Sequence, residues 1–149
     1  MFDNPAGLRN GYLNLDPLGA DEYRGDIQNL DVVADDGECE AVLAMSVLDY
    51  FPPSASHRLI QHWSKKLEHF GTLTVSFTDM YRLAKAITNR NVNLKEANEL
   101  LHGKQEKGWQ IRRSTLSMDI MTEFMHDCGL QILSKRYEGY NAIVKARRP

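Results

Sequence analysis

A short apolar segment, followed by polar residues and two prolines, limits what this chain can fold into. Residues 41–45 are apolar without alternation, which is typical of a strand covered on both faces. Ser46, Asp49 and Tyr50 follow directly, and two successive prolines then force a turn before an amphipathic helix. In open α/β sheets, ligands bind at the carboxyl ends of such strands. The segment therefore predicts an α/β fold with a candidate site at these three polar residues.

Composition and charge narrow the class of protein. The 149 residues suffice for one domain, and a net charge of −2 gives no general attraction to nucleic acid or to membranes. The adjacent Arg112 and Arg113 and the basic C-terminal tail are typical of solvated surfaces. Cys39 and Cys128 are too far apart in sequence to predict a disulfide framework or a zinc site, and the histidines lack metal-ligand spacing. Because neither a membrane-spanning run nor a signal peptide is recognisable, we expect a cytoplasmic protein.

The first part of the chain predicts two short strands. Residues 1–10 show no periodic pattern and predict an irregular lead-in. Residues 11–16 contain alternating apolar positions and end in an Asp-Pro pair, so they predict a strand. A weaker strand at residues 23–25 precedes Asp26 and Ile27.

The rest of the chain alternates helices and strands. The predicted elements are a helix capped by Ser54 or Ser56, a strand at 72–77, a helix capped by Asp79 with Leu83, Ala84 and Ile87 facing inward, a short helix at 94–101, a helix that begins at Ser117, and strands at 130–137 and 141–146 joined through Gly139. This order predicts one domain over residues 1–149. Its sheet is expected to be mostly parallel, within three layers, and to finish in an antiparallel hairpin.

These segments, in this order, resemble the class I S-adenosylmethionine-dependent methyltransferases, and more narrowly a short bacterial and phage branch of that family. Residues 11–16 resemble the family's second strand, whose terminal acid, here Asp16, would hold the ribose hydroxyls of the cofactor. The resemblance of residues 25–27 to the end of the third strand implies that Asp26 and the Ile27 amide meet the adenine.

The segment after the apolar strand, residues 46–52, resembles the family's segment after strand four. The resemblance implies that Ser46, Asp49 and Tyr50 line the acceptor side, with Ser46 also counted among the cofactor-binding residues. Asp49 or Tyr50 would then take a proton from the methyl acceptor.

The chain departs from the family pattern before Asp16. A strand, glycine loop and helix that return to a second parallel strand take roughly 30 residues, whereas only fifteen residues precede Asp16. Gly7 and Gly11 also lack the glycine-rich spacing. We therefore expect a Rossmann-like methyltransferase fold without its first strand, glycine loop and first helix. The turn into the family's fifth strand has diverged as well, with His69 and Phe70 where the family has proline and glycine.

Three hypotheses follow. The chain is an enzyme with a partial S-adenosylmethionine site, or it is a non-catalytic structural or regulatory subunit that uses an exposed sheet edge to associate with itself or with a partner. In the third hypothesis the natural gene product is longer than this sequence, and its additional residues complete the enzyme site. Taken alone, Asp16 and Asp26 are better interpreted as turn residues than as cofactor ligands; only the ordered resemblance makes the two interpretations comparable.

Overall fold

The computed structural model describes Leu15 and residues 26–149. The lead-in predicted at residues 1–10 and the strand predicted at 23–25 lie outside the described residues. Of the strand predicted at 11–16, only Leu15 is described; it forms a β-bridge and is buried in the hydrophobic core.

The described residues form four β-strands and four α-helices. In chain order these are β1 (Cys39–Met45), α1 (Pro53–Lys66), β2 (Leu67–Thr78), α2 (Met80–Thr88), α3 (Leu94–His102), α4 (Met118–Asp127), β3 (Gln131–Glu138) and β4 (Asn141–Arg147). Short 3-10 turns lie at Leu30–Val32, Leu48–Tyr50 and Gly108–Gln110.

The four strands form one mixed sheet in the order β1-β2-β4-β3. β1 runs parallel to β2, whereas β4 pairs antiparallel with both β2 and β3. The parallel pair is linked through α1, and β3 and β4 form the predicted C-terminal hairpin. The structure thus confirms an α/β fold with an antiparallel finish, and among the pairings of these four strands only β1–β2 is parallel.

One face of the sheet packs against α1 and α4, and the core lies between them. Leu59, Ile60 and Trp63 form the apolar stripe of α1 and are buried. The strand residues on the core face are Val42, Ala44, Leu73, Val75, Phe77, Ala142, Val144 and Ala146. Because strand side chains alternate between faces, the intervening residues of these strands lie on the opposite face.

Most of the predicted helix ends are confirmed, and one is wrong. The Asp79 carboxylate accepts a hydrogen bond from the Arg82 amide, and the Ser117 hydroxyl accepts one from the Ile120 amide. The predicted capping of the first helix by Ser54 or Ser56 is wrong. α1 begins at Pro53 without a side-chain cap, because the fixed φ of proline suits the first helical position and the missing N–H has no intrahelical partner there.

The prediction that Ala84 and Ile87 face inward is also wrong. Leu83 is the buried residue of α2, whereas Ala84 is exposed and the exposed fraction of Ile87 is 36%. Beyond its N-terminal cap, α2 makes few contacts with the other elements, so its apolar residues have little core to pack against.

Phe70 adopts a backbone conformation that suits glycine better. It lies within β2 with a φ of +65°, and the exposed fraction of its side chain is 62%. The left-handed region costs an L-residue about 1–2 kcal/mol. We expect Phe70→Gly to raise the free energy of unfolding by up to about 1 kcal/mol, since the loss of exposed contacts with His69 and Arg147 offsets part of the relief.

Urea denaturation measures this effect, and Glu68→Gly is the matched control. Glu68 is exposed on the same stretch of β2 with an ordinary φ, so its replacement by glycine should destabilise the protein by roughly 0.5–1 kcal/mol. Equal destabilisation by the two glycines would show that Phe70 carries no strain.

Candidate functional site

The candidate site begins where β1 ends, at Ser46. This exposed residue has a φ of +56°, which is uncommon for a serine. Its amide donates hydrogen bonds to the carbonyl and the hydroxyl oxygen of Ser76 on β2, both at 3.0 Å. Residues in sparsely populated backbone regions cluster at functional sites. Ser46 therefore marks the carboxyl end of the parallel pair as the place to look for a ligand.

Asp49 lies in the 3-10 turn that follows and is bound on two sides. Its Oδ1 accepts a hydrogen bond from the Thr78 amide at the end of β2, at 3.3 Å. Its main-chain carbonyl accepts from the amides of Arg113 and Ser114 at 2.8 and 3.2 Å. The Asp49 residue thus joins the end of β1, the end of β2 and the segment that leads into α4.

The Asp49 carboxyl group is an unusual buried acid. The exposed fraction of the residue is 1%, and Oδ2 accepts no hydrogen bond from a described residue. Burial disfavours the charged form and raises the pKa of Asp49 to about 6, although the nearby Arg112 charge and the Thr78 N–H act in the opposite direction. A carboxyl group that titrates near neutral pH is suited to proton transfer. With so little exposed surface, the carboxyl group would contact a ligand only if the surrounding segment moved.

Arg112 is a site residue that the sequence analysis missed. Its Nη1 lies 3.7 Å from Asp49 Oδ2, and it donates to Thr78 Oγ1 and to the Leu100 carbonyl at 3.0 and 3.2 Å. The guanidinium lies 5.6 Å from the ring centroid of the half-buried Tyr50. The adjacent pair of arginines had suggested a solvated patch, and the sequence holds no local signal that one of them turns inward.

Two further predicted cofactor residues, Asp26 and Ile27, lie beside α1. Ile27 is buried and its carbonyl accepts a hydrogen bond from Trp63 Nε1 at 3.0 Å, while the Leu30 amide donates to His62 Nε2 at 2.9 Å. Asp26 is exposed and its Oδ1 accepts from the Gln28 amide at 2.8 Å, so it does stabilise a turn. These contacts hold the Asp26–Leu30 segment against the last two turns of α1.

Two hydrogen-bonding groups of this segment have no partner among the described residues. Neither the Asp26 Oδ2 atom nor the Ile27 amide makes a hydrogen bond to another described residue. Adenine presents an amino donor beside ring-nitrogen acceptors, which a carboxylate oxygen and an N–H match. Asp16 lies outside the described residues, so the expected meeting of Asp16, Asp26 and Ser46 at neighbouring strand ends stays a prediction.

The described residues give no sign of a metal centre or a membrane span. Across Leu15 and residues 26–149, the structure brings no three His, Cys, Asp or Glu side chains into an arrangement that could hold a metal ion. Over the same residues, no helix combines the length and the apolarity needed to cross a bilayer.

Solved structures share the fold of this chain, although neither a protein-family model nor a curated protein sequence matches it. An O-methyltransferase family protein from Burkholderia thailandensis superposes with a TM-score of 0.60 at 16% identity, over 85% of this chain and 35% of that one. Magnesium protoporphyrin IX methyltransferase from Synechocystis with bound SAH superposes with a TM-score of 0.56 at 16% identity, over 84% of this chain and 49% of that one. A SAM-dependent methyltransferase from Thermotoga maritima gives a TM-score of 0.60 at 15% identity, over 92% of this chain and 73% of that one.

At these identities the likeness shows the fold. The described chain has the α/β fold found in SAM-dependent methyltransferases, as the order of its segments had suggested. It spans less than half the length of the Burkholderia and Synechocystis proteins.

Proposed function

We propose that this chain is a methyltransferase-like protein that binds the adenosine part of S-adenosylmethionine. The observation that carries the proposal is the superposition of this fold on solved methyltransferase structures, with TM-scores of 0.60 over 85% and 92% of the chain. The resemblance of residues 11–149 to the short bacterial and phage branch supports the same conclusion. The resemblance also indicates which residues would form the site.

The residues of this chain would bind and orient the donor. Asp26 Oδ2 accepts a hydrogen bond from the adenine amino group, and the Ile27 amide donates to a ring nitrogen. Asp16 holds the ribose hydroxyls, and Ser46 lies at the strand end beside them. S-adenosylmethionine supplies an electrophilic methyl group when bound, and the catalytic contribution of such a site is mainly the positioning of donor and acceptor.

Asp49 is the candidate base for the acceptor. With a pKa of about 6, it is mostly ionised at neutral pH and can accept a proton from a hydroxyl or amine acceptor. Tyr50 is half-buried next to it and would line the acceptor side. Movement of the segment that carries Arg113 and Ser114 would bring the carboxylate into contact with the acceptor, since both amides bind the Asp49 carbonyl.

The described residues supply only part of the proposed site, and we expect a correspondingly low affinity for the donor. A glycine loop lets the backbone approach the methionine end of the cofactor. Gly7 and Gly11 do not have that spacing. Among the described residues, the Asp26 carboxylate and the Ile27 amide bind the adenine, and none forms a glycine loop at the methionine end.

Calorimetric titration with S-adenosylmethionine and with S-adenosylhomocysteine tests the proposal. We expect a dissociation constant in the micromolar range, roughly 10–100 µM. Asp26→Asn should weaken binding about tenfold, because the amide still accepts from Gln28 but places a donor against the adenine amino group. Asp35→Asn is the matched control; it removes the same charge from an exposed loop residue and should leave the affinity unchanged. The absence of heat and of a thermal shift at about 1 mM ligand contradicts the proposal.

A second candidate function is that of a non-catalytic subunit that associates through the sheet edge. Within residues 26–149, β1 pairs with a strand only on its β2 side, and an unpaired strand edge is a template for strand addition. Sedimentation velocity at about 100 µM tests this self-association. A dimer supports the second function, whereas a monomer that binds S-adenosylmethionine supports the first.

A further inference from the structure

Thr78, Asp49 and Arg112 contact one another at the end of β2. The Thr78 amide donates to Asp49 Oδ1 at 3.3 Å, and the Thr78 hydroxyl accepts from Arg112 Nη1 at 3.0 Å. The same Nη1 lies 3.7 Å from Asp49 Oδ2. Thr78 and Asp49 are buried, and the exposed fraction of the Arg112 side chain is 14%. Thr78 therefore fixes the distance between the acid and the guanidinium.

The helix α3 holds Arg112 from the other side. Arg112 Nη1 also donates to the Leu100 carbonyl at 3.2 Å, and its amide donates to the His102 carbonyl at 3.1 Å. The segment comes this close to α3 because the helix ends at Gly103, where φ is +80° and an added Cβ would lie 1.7 Å from the Gln110 carbonyl oxygen. Both the main chain and the side chain of Arg112 are thus anchored away from Asp49.

This anchoring lets Arg112 act on Asp49 by charge, without a direct hydrogen bond. Hydrogen bonds between nitrogen and oxygen span about 2.7–3.2 Å, so the separation of 3.7 Å is too long for one. Asp49 Oδ2 accepts no hydrogen bond from a described residue, whereas a guanidinium in bidentate contact would occupy both carboxylate oxygens. One oxygen of Asp49 is therefore bound by Thr78, and the other remains able to accept a proton.

Arg112 supplies the charge that favours ionised Asp49 within the described part of the chain. Burial disfavours the carboxylate, and the nearby Arg112 charge counteracts it. The neighbouring Asp79 carboxylate is bound by two main-chain amides, and Tyr50 lies on the same turn with its ring 5.6 Å from the guanidinium. Arg113 is exposed and binds Asp49 through its main-chain amide.

We propose that Arg112 is a positioning residue for the base Asp49: its guanidinium, held by β2 and α3, stabilises the carboxylate through its charge and leaves Oδ2 to accept the proton. The inference rests on the proposed function, in which Asp49 is the base. The proton of an acceptor hydroxyl or amine passes to Oδ2, the electron pair of the broken bond stays on the acceptor, and the carboxyl group becomes neutral. Arg112 acts on the reaction through Asp49.

Carboxyl ¹³C NMR of the ligand-free chain, titrated from about pH 4 to pH 9, tests the proposal. The Asp49 signal is assigned from its loss in Asp49→Asn. In Arg112→Gln the pKa of Asp49 should rise by about one unit or more, because an opposite charge this close lowers the pKa of a carboxyl group by roughly 1–3 units. Arg112→Lys keeps the charge, so the pKa of Asp49 should stay at or below its value in the unchanged chain.

Arg113→Gln is the matched control. It removes the same charge from the next residue, whose side chain is exposed and whose main-chain amide, which binds the Asp49 carbonyl, is retained. Since solvent screens exposed charges, the pKa of Asp49 should change by less than about 0.3 in this variant.

Urea denaturation gives a second measurement, which also serves where Arg112→Gln folds poorly at neutral pH. The loss of stability in this variant should grow as the pH rises from about 5 to 8, because Asp49 then ionises without its counter-charge. A residue that only packs or donates hydrogen bonds would give a loss that does not change with pH. In the Asp49→Asn background, the pH dependence of the Arg112→Gln effect should disappear.

The proposal is overturned if Arg112→Gln leaves the pKa of Asp49 unchanged or lowers it, or if Arg113→Gln raises it equally. These measurements use no S-adenosylmethionine, so such a result leaves donor binding untouched. A failed calorimetric titration beside a raised pKa in Arg112→Gln overturns the proposed function instead, and with it the part of Arg112 in a reaction, although the two residues are then still coupled.

Discussion

Replacing Trp63 by alanine should lower the free energy of unfolding by about 3–5 kcal/mol, which is a large share of the stability of a domain of this size. Trp63 is fully buried in the core between α1 and the sheet, so its loss leaves a large cavity. Its Nε1 also donates to the Ile27 carbonyl, and the variant leaves that buried acceptor unpaired. Urea denaturation followed by circular dichroism measures the change.

Trp63→Phe separates the two contributions. Phenylalanine keeps most of the apolar volume and removes the donor, so we expect a loss of about 1–3 kcal/mol. Amide hydrogen exchange should show faster exchange at the Leu30 amide in both variants, because Trp63 and His62 together hold the Asp26–Leu30 segment. If exchange at this amide is unchanged while the protein is destabilised, Trp63 acts through the core alone and does not position the candidate adenine contacts.

The parts of the fold that the sequence predicted well are those governed by local signals. The β-branched run inside β2 and the Asp79 and Ser117 caps each act within a few residues, so the second half of β2 and the starts of α2 and α4 were placed correctly. Gly139, with a φ of +61°, likewise turns the chain between β3 and β4. The turn expected at His69 and Phe70 was wrong, because β2 already begins at Leu67.

Predictions failed where tertiary contacts decide the outcome. Ile87 has the spacing of an inward-facing residue, but α2 has little core to cover, so the residue stays largely exposed. The serine caps were expected at the start of α1, but a proline pair fixes the backbone there and leaves Ser56 to be buried instead. In the first case no other element of the described chain covers the predicted face, and in the second the adjacent prolines decide where the helix begins.

In the candidate site, too, local signals predicted some features and long-range contacts determine the others. The position of Ser46, Asp49 and Tyr50 at a strand end follows from the apolar run before them, and the structure places them directly after β1. The burial of Asp49 does not follow from it, because it depends on Thr78 and on the distant segment at Arg112 and Arg113. The raised pKa of the carboxyl group is thus a product of long-range packing.

The raised pKa of Asp49 makes the stability of the protein depend on pH. The folded protein raises the pKa of Asp49 from 3.8 to about 6, so the folded state holds the proton more strongly than the unfolded chain does. The stability contributed by this group is fully present below pH 3.8 and is lost as the pH rises through about 6. The difference of about two pKa units corresponds to roughly 3 kcal/mol.

We therefore expect the free energy of unfolding of the natural protein, minus that of Asp49→Asn, to fall by roughly 3 kcal/mol between about pH 4 and pH 7.5. Asparagine cannot ionise and still accepts from the Thr78 amide, so the effects of other titrating groups cancel in the difference. Asp36→Asn is the control, because a hydrogen bond from Lys66 lowers the pKa of Asp36 and its own difference should stay flat above about pH 5. A flat difference for Asp49→Asn as well would mean that the carboxyl group is ionised without penalty in the folded state; it would then be an ordinary charged partner of Arg112 and would lose its claim to the role of base.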